Sequence, residues 1–163
     1  MKYYLKQRFF SWFDSYNIYD ESGKIAFIAK GELAWGHQLK IYDGNYRLLG
    51  IIKEKMFTFL PKFIMYNKNG IQIGKICKKI TFFTPQYYLT CNDWNIVGDI
   101  MKWNYKVIDS RRNLIMTTSK KLFNITDTYE INVNNIEDSL LAIMIVLSID
   151  IDKCRQSKEN NWN

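Results

Sequence analysis

Lys6-Gln-Arg-Phe-Phe-Ser-Trp-Phe-Asp-Ser-Tyr-Asn-Ile-Tyr-Asp20 and Lys53-Glu-Lys-Met-Phe-Thr-Phe-Leu-Pro-Lys-Phe-Ile-Met-Tyr-Asn67 align position by position, and in the same register Gly23 falls on Gly70. Weaker copies follow in Lys79-Ile-Thr-Phe-Phe-Thr-Pro-Gln-Tyr-Tyr-Leu89 and Lys121-Leu-Phe-Asn-Ile-Thr-Asp-Thr-Tyr-Glu-Ile131. Gln38-Leu-Lys-Ile-Tyr-Asp43 and Asn104-Tyr-Lys-Val-Ile-Asp109 keep only the second half of the pattern. A period of this kind marks one supersecondary unit written several times, and it outranks any strand-by-strand reading.

Each unit has a large apolar anchor: Tyr16, Leu39, Phe63, Tyr87, Tyr105 and Tyr129. Two residues further on stands an apolar partner: Ile18, Ile41, Met65, Leu89, Val107 and Ile131. A spacing of two places both side chains on one face of a strand. Turn residues come next, as in Asp20-Glu-Ser-Gly23, Asp43-Gly-Asn45 and Asn67-Lys-Asn-Gly70, and a second apolar run follows them. Each unit therefore predicts a β-hairpin. Six hairpins give about twelve strands. An open antiparallel sheet of that size exposes its edges and curls, so the pattern predicts closure into a barrel.

The period ends at Asn134-Asn-Ile-Glu-Asp-Ser139, where Asn135 or Ser139 is suited to cap a helix, with Glu137 and Asp138 in its first turn. Leu140-Leu-Ala-Ile-Met-Ile-Val-Leu-Ser-Ile149 is then apolar on every side. Such a helix must be surrounded. Burial of its eight large aliphatic side chains is worth roughly 12–24 kcal/mol gross. A barrel of about twelve strands is too wide for its own side chains to fill. A helix over about 136–152, threaded through the lumen, meets both requirements. The expected organisation is one all-β barrel domain over 1–154 enclosing this C-terminal helix, with a polar tail over 155–163.

The remaining composition restricts function. The 163 residues are 16% aromatic and 47% hydrophobic, which excludes disorder and suits one ordinary domain. Cys77, Cys91 and Cys154 are an odd, widely spaced set, which fits reduced thiols and not a disulfide framework or a zinc site. The N-terminal segment lacks the apolar stretch of a signal peptide, and the apolar run of the helix falls short of the roughly 20 residues of a bilayer span. A cytoplasmic protein, at most peripheral to a membrane, is expected.

Chemistry is sparse. His37 is the sole histidine and falls at a strand entrance equivalent to Asp14, Pro61, Pro85 and Asp127, so a turn role is expected of it rather than general base catalysis. Gly70-Ile-Gln-Ile-Gly-Lys75 has three residues between its glycines where a phosphate loop has four, and its alternation marks a strand. Asp150 and Asp152 at the helix exit are expected to face solvent. No catalytic residue, metal site or cofactor is assigned, and a non-enzyme is expected.

Charge is distributed unevenly. The net charge is +7, yet residues 46–121 hold fourteen Lys or Arg against four Asp or Glu, while the rest of the chain sums to −3. Arg8, Lys55, Lys79 and Lys121 each lie eight residues before an anchor, an equivalent position that in a barrel tends to share a rim. Together with the doublets Lys78-Lys79, Arg111-Arg112 and Lys120-Lys121 they define a candidate surface: Lys55, Lys78, Lys79, Arg111, Arg112, Lys120 and Lys121. Its expected ligand is an anionic phospholipid or membrane surface. The competing readings are lysines that keep strand rims soluble, and a protein-interaction or scaffold domain without lipid. Nucleic acid is disfavoured because periodicity assigns most aromatics to the core.

The opening Lys-Gln-Arg-Phe-Phe-Ser-Trp, the repeated Ile-Tyr-Asp turns, Asp127-Thr-Tyr-Glu-Ile131 and the ending Glu137-Asp-Ser-Leu-Leu-Ala-Ile-Met-Ile-Val-Leu-Ser-Ile-Asp150 resemble bacterial members of the LURP-one-related family, over about Met1 to Asp152. The resemblance implies a tubby-like fold, in which a twelve-stranded barrel encloses a hydrophobic C-terminal helix. It implies no defined activity. Tubby proteins bind phosphoinositides and scramblases act at membranes with calcium, which extends to this chain only as analogy between folds. Asp127, Glu130, Glu137 and Asp138 do not follow the EF-hand spacing, so no calcium site is expected.

Overall fold

The computed structural model describes residues 1–6, 15–34, 36–81, 86–123 and 126–160. Arg8, Asp14 and Pro85 of the repeat lie outside the described residues. Twelve strands run in chain order: β1 Lys2–Lys6, β2 Ser15–Asp20, β3 Ile25–Ala34, β4 Gly36–Asp43, β5 Leu48–Glu54, β6 Lys62–Asn67, β7 Gln72–Lys79, β8 Gln86–Leu89, β9 Asn95–Asp99, β10 Asn104–Ile108, β11 Leu114–Phe123 and β12 Thr126–Val133. A 3-10 turn over Ile136–Asp138 leads into a helix, α1, Ser139–Asn160.

All twelve strands form one antiparallel sheet in the order β8-β7-β6-β5-β4-β3-β2-β1-β12-β11-β10-β9. β8 and β9 are its two edges, consecutive in sequence and brought side by side without a ladder, so the barrel is nearly closed. The repeat thus specifies the strand number but not every partnership. Unit four is not a laddered hairpin. Unit six pairs β12 with no second strand of its own; β1 takes that place, in register from Lys2 opposite Asn132 to Lys6 opposite Thr128. The Met1 ammonium also donates to the Val133 carbonyl at 2.8 Å.

Four hairpins close by the same local chemistry. Asp20, Asp43, Asn67 and Asp109 each accept two backbone N–H bonds on Oδ1, from the residues two and four positions on. The third residue after each, Gly23, Tyr46, Gly70 or Arg112, has φ between +62° and +78°. A side-chain-capped turn followed by a left-handed residue gives the bulge that matches strand twist, which explains the Ile-Tyr-Asp signature.

The anchors Tyr16, Leu39, Phe63, Tyr87, Tyr105 and Tyr129 are all buried, and so are their partners apart from half-buried Leu89. They form the wall around α1, whose residues from Ser139 to Asp152 are buried apart from half-buried Leu140. Fourteen helical residues span about 21 Å, close to the height of a five- to eight-residue strand. Gly50 and Gly74 let the wall approach the helix: a Cβ at Gly50 would meet the Met144 Cε at 2.5 Å, and one at Gly74 the Leu141 Cδ1 at 3.3 Å.

Three expectations for the helix need correction. Its start is not capped by the Asn135 side chain, which makes no bond to the helix backbone, and the Ser139 hydroxyl instead accepts from Tyr3 Oη at 2.9 Å. Glu137 and Asp138 belong to the 3-10 turn and not to the first turn of α1. The helix also runs to Asn160, well beyond residue 152, so Arg155 and Gln156 are helical and bonded rather than part of a tail.

Alternation of strand direction fixes which side chains can meet. The turns at 20–25, 43–48, 67–72 and 108–114 share the end where α1 enters the barrel. The connections 54–62, 79–86 and 99–104 share the end where it leaves.

Candidate functional site

At the helix-exit end, the loop from Lys55 to Pro61 is held to the barrel by short bonds. Lys55 N donates to Lys62 O at 2.8 Å, Lys78 N to Pro61 O at 3.1 Å, and Thr58 Oγ1 to Lys55 O at 3.2 Å. The fastened loop turns its largest apolar side chains outward. Phe57 is 99% exposed and Phe59 92%, with Met56 and Ile80 also exposed. Phe57 has φ +57°, a left-handed conformation that is rare and strained for a bulky residue. Phe59 lines a shallow groove with Lys79 and Ile80, where the β5–β6 loop meets the end of β7.

Beneath this tip, the end of α1 is tied to the wall by polar contacts. Asp152 Oδ2 accepts from Tyr87 Oη at 2.5 Å and Gln156 Nε2 at 2.7 Å, and lies 3.1 Å from Lys78 Nζ. Burial, then the Asp152 charge, hold the Tyr87 phenol far above its ordinary value, so it acts only as a donor. Glu54 reaches both His37, with Oε2 2.9 Å from Nδ1, and Arg155, with Oε1 2.6 Å from Nη2. On the far side of the helix, Lys153 Nζ donates to the carbonyls of Ile100 and Met101 at 3.0 and 2.8 Å and sits 4.2 Å above the Trp103 ring. Burial lowers Lys153 to about 8, and burial raises the neighbouring Asp150 carboxyl to about 7.

The expected solvent exposure of Asp150 and Asp152 is therefore wrong: both are buried, because the helix continues for two more turns and the rim closes around them. His37 is exposed on the rim with a carboxylate partner that sequence spacing could not supply. Cys77 and Cys91 are buried, Cys154 is half-buried, and burial raises Cys91 to about 11, the state of an inert thiol.

The fold divides the basic candidates. Lys55, Lys78, Lys79, Lys120 and Lys121 lie at the helix-exit end. Arg111 and Arg112 occupy the β10–β11 turn at the opposite end, about 25 Å of strand from Lys120. The first group is not uniform. Lys55 and Lys79 are exposed, Lys78 points inward to Asp152, and Lys121 stands 3.6 Å from Glu130. Lys120 is exposed and adds to the positive field that lowers Lys153. No group of three or more His, Cys, Asp or Glu suited to a metal ion exists among the described residues. No described helix is long and apolar enough to cross a membrane.

Phe57, Phe59, Glu54 and Arg155 were not singled out from sequence. The available signal was the parallel between Lys55-Met-Phe-Thr-Phe-Leu-Pro61 and Lys79-Ile-Thr-Phe-Phe-Thr-Pro85: a base, bulky apolar residues, then proline. Proline at this point stands just before a strand begins, so the apolar residues ahead of it belong to a loop and need not reach the core.

A nearly closed twelve-stranded antiparallel barrel around a C-terminal helix is the tubby-like fold. The LURP-one-related family model matches residues 1–150, and the chain belongs to that family. It is 28% identical over 149 residues to the uncharacterized protein YxjI of Bacillus subtilis (strain 168), covering 91% of each chain. A protein of Arabidopsis thaliana solved by X-ray diffraction shares the fold at a TM-score of 0.62 and 12% identity, over 93% of this chain and 91% of the other.

Proposed function

We propose that the chain is a non-catalytic module that docks its helix-exit rim on an anionic membrane surface. The carrying observation is the projecting pair Phe57 and Phe59, almost fully exposed on a loop that backbone bonds hold in place. A domain that displays two bare aromatics, one of them on a strained backbone, beside lysines is built to cover them with something apolar below an anionic layer. Transfer of two phenylalanines into the acyl boundary is worth about 3–6 kcal/mol, and each nearby lysine about 1 kcal/mol. The apolar part therefore exceeds the ionic part of Lys55 and Lys79. This alters the emphasis expected from sequence, in which the basic stretch alone was to carry binding. It also sets Arg111 and Arg112 aside, because a surface that touches one rim does not touch the other.

Co-sedimentation with phosphatidylserine-containing and purely phosphatidylcholine vesicles across a salt series tests the reading. Binding to the anionic vesicles that weakens, but survives, at high salt is expected. Equal absence of binding to both at low salt overturns it. The same bare aromatics favour a second reading, a scaffold whose partner covers them with an apolar protein surface; retention of a partner protein with no vesicle binding would select it.

A further inference from the structure

Behind the aromatic tip, the rim holds an open cavity of about 380 Å³. Its charges are layered. Glu54 and Asp152 form the floor, with side chains only 7% and 1% exposed, while Arg155 at 33% and Lys78 at 17% are partly exposed beside them and Lys55 lies on the loop at the edge. Asp152 Oδ2 also accepts from Tyr87 and Gln156, while its buried Oδ1 has no hydrogen-bond partner among the described residues, and Glu54 Oε2 is met by His37. Lys78 and Arg155 are therefore held in place by the carboxylates without exhausting their three and five donor hydrogens. Arg155 Nη2 is itself buried, 2.6 Å from Glu54 Oε1, and anchors the guanidinium to the floor rather than facing the opening. The Thr58 hydroxyl lines the same opening. Three cations over a buried acidic floor present a net positive mouth, and a planar guanidinium beside two ammonium groups matches a tetrahedral oxyanion.

We infer that this cavity is a binding site for a phosphomonoester, received by Lys55, Lys78 and Arg155. The group arrives either as a phospholipid headgroup or as a small free phosphate ester. The lipid form rests on the membrane reading above; the free form does not, since the cavity needs no bilayer. The sequence singled out Lys55 and Lys78 as anionic-ligand candidates but not Arg155. Arg155 belongs to the expected tail, and only continuation of α1 beyond the barrel carries it to the β5–β6 loop.

The test is titration of the full chain with glycerol 3-phosphate and with glycerol, by calorimetry at constant ionic strength. Saturable one-site binding of the phosphate ester and none of glycerol is expected. Arg155→Gln and Lys55→Gln should each weaken it at least tenfold, and Arg112→Gln at the opposite rim should leave it unchanged. Lys55 sits on the loop, so its variant remains readable should Arg155→Gln perturb the fold. A second arm compares vesicles of matched surface charge made with phosphatidic acid or phosphatidylserine. Preference for phosphatidic acid that Lys55→Gln abolishes assigns the ligand to lipid. Saturation by glycerol 3-phosphate with equal vesicle binding assigns it to a free ester. Soluble binding with no vesicle binding removes the membrane reading and leaves the site standing. Absence of saturation together with absence of a phosphatidic acid preference overturns the site.

Discussion

Lys78 Nζ lies 3.1 Å from Asp152 Oδ2, an ion pair that joins the end of β7 to the last buried turn of the central helix. Lys78 is therefore a strut of the plugged barrel before it is a surface charge. Lys78→Ala would leave Asp152 buried with Tyr87 and Gln156 as its remaining partners, and should cost about 3 kcal/mol in urea unfolding. Charge reversal at Lys78 should be worse, placing two carboxylates together. Pairing Lys78→Ala with Asp152→Asn should recover part of the loss, because no unpaired charge remains. A cost below about 1 kcal/mol for Lys78→Ala would contradict this.

Burial raises Asp150 to about 7, against about 3.9 in an unfolded chain. Between those values the folded state holds a proton that the unfolded state has released, so this carboxyl makes stability fall as pH rises from about 4 to 7. The effect is up to about 4 kcal/mol. Lys153, lowered by burial to about 8 from its ordinary 10.5, acts oppositely and makes stability rise above pH 8. Subtracting the unfolding free energies of Asp150→Asn from those of the parent, pH by pH, should show the first slope. A flat difference would contradict it.

Arg112 holds φ +67° at the position where Gly23 and Gly70 stand in equivalent hairpins. Arg112→Gly removes a left-handed penalty of about 1 kcal/mol and should raise the melting temperature by about 2–4 °C. Asp109→Ala should lower it, since Asp109 Oδ1 accepts from both Arg111 N and Asn113 N. Neither change should alter vesicle binding.

Leu141 packs close to the Gly74 wall inside the barrel. Leu141→Asp buries a carboxylate without a partner and should abolish soluble, monomeric folding, measured by size-exclusion chromatography and circular dichroism. A stable monomer would sink the central-helix packing.

The barrel was legible because its determinants are periodic and local: an anchor, a partner two residues on, and an Asx-capped turn. The helix was legible because an all-apolar segment has only one kind of place to go. What sequence did not show depends on contacts across the barrel. Tyr87 reaches Asp152 over 65 positions and Lys153 reaches Ile100 over 53, and no spacing rule encodes either. Buried Asp152 looked like an ordinary exit residue because the partners that make its burial tolerable, Tyr87 and Lys78, come from distant strands, and Asp150 because its burial depends on the rim closing around a longer helix. The separation of Arg111 and Arg112 from the lysines was hidden by the charge sum, which counts along the chain, whereas strand reversal sends turn and strand end to opposite rims. Phe57 and Phe59 were hidden by abundance: among twenty-six aromatics, the few that face outward share their alternation with those that build the core.

The central claim, that the rim binds by inserting aromatics assisted by lysines, is tested most directly by a two-by-two vesicle-binding experiment. Phe57→Ser with Phe59→Ser is compared against Lys55→Gln with Lys79→Gln, on phosphatidylserine-containing vesicles at low and high salt. The expected result is that the lysine pair loses roughly tenfold or more at low salt and little at high salt. The phenylalanine pair should lose at least 100-fold at both, consistent with about 3–6 kcal/mol of apolar transfer. Unchanged binding of the phenylalanine pair at high salt would contradict the claim.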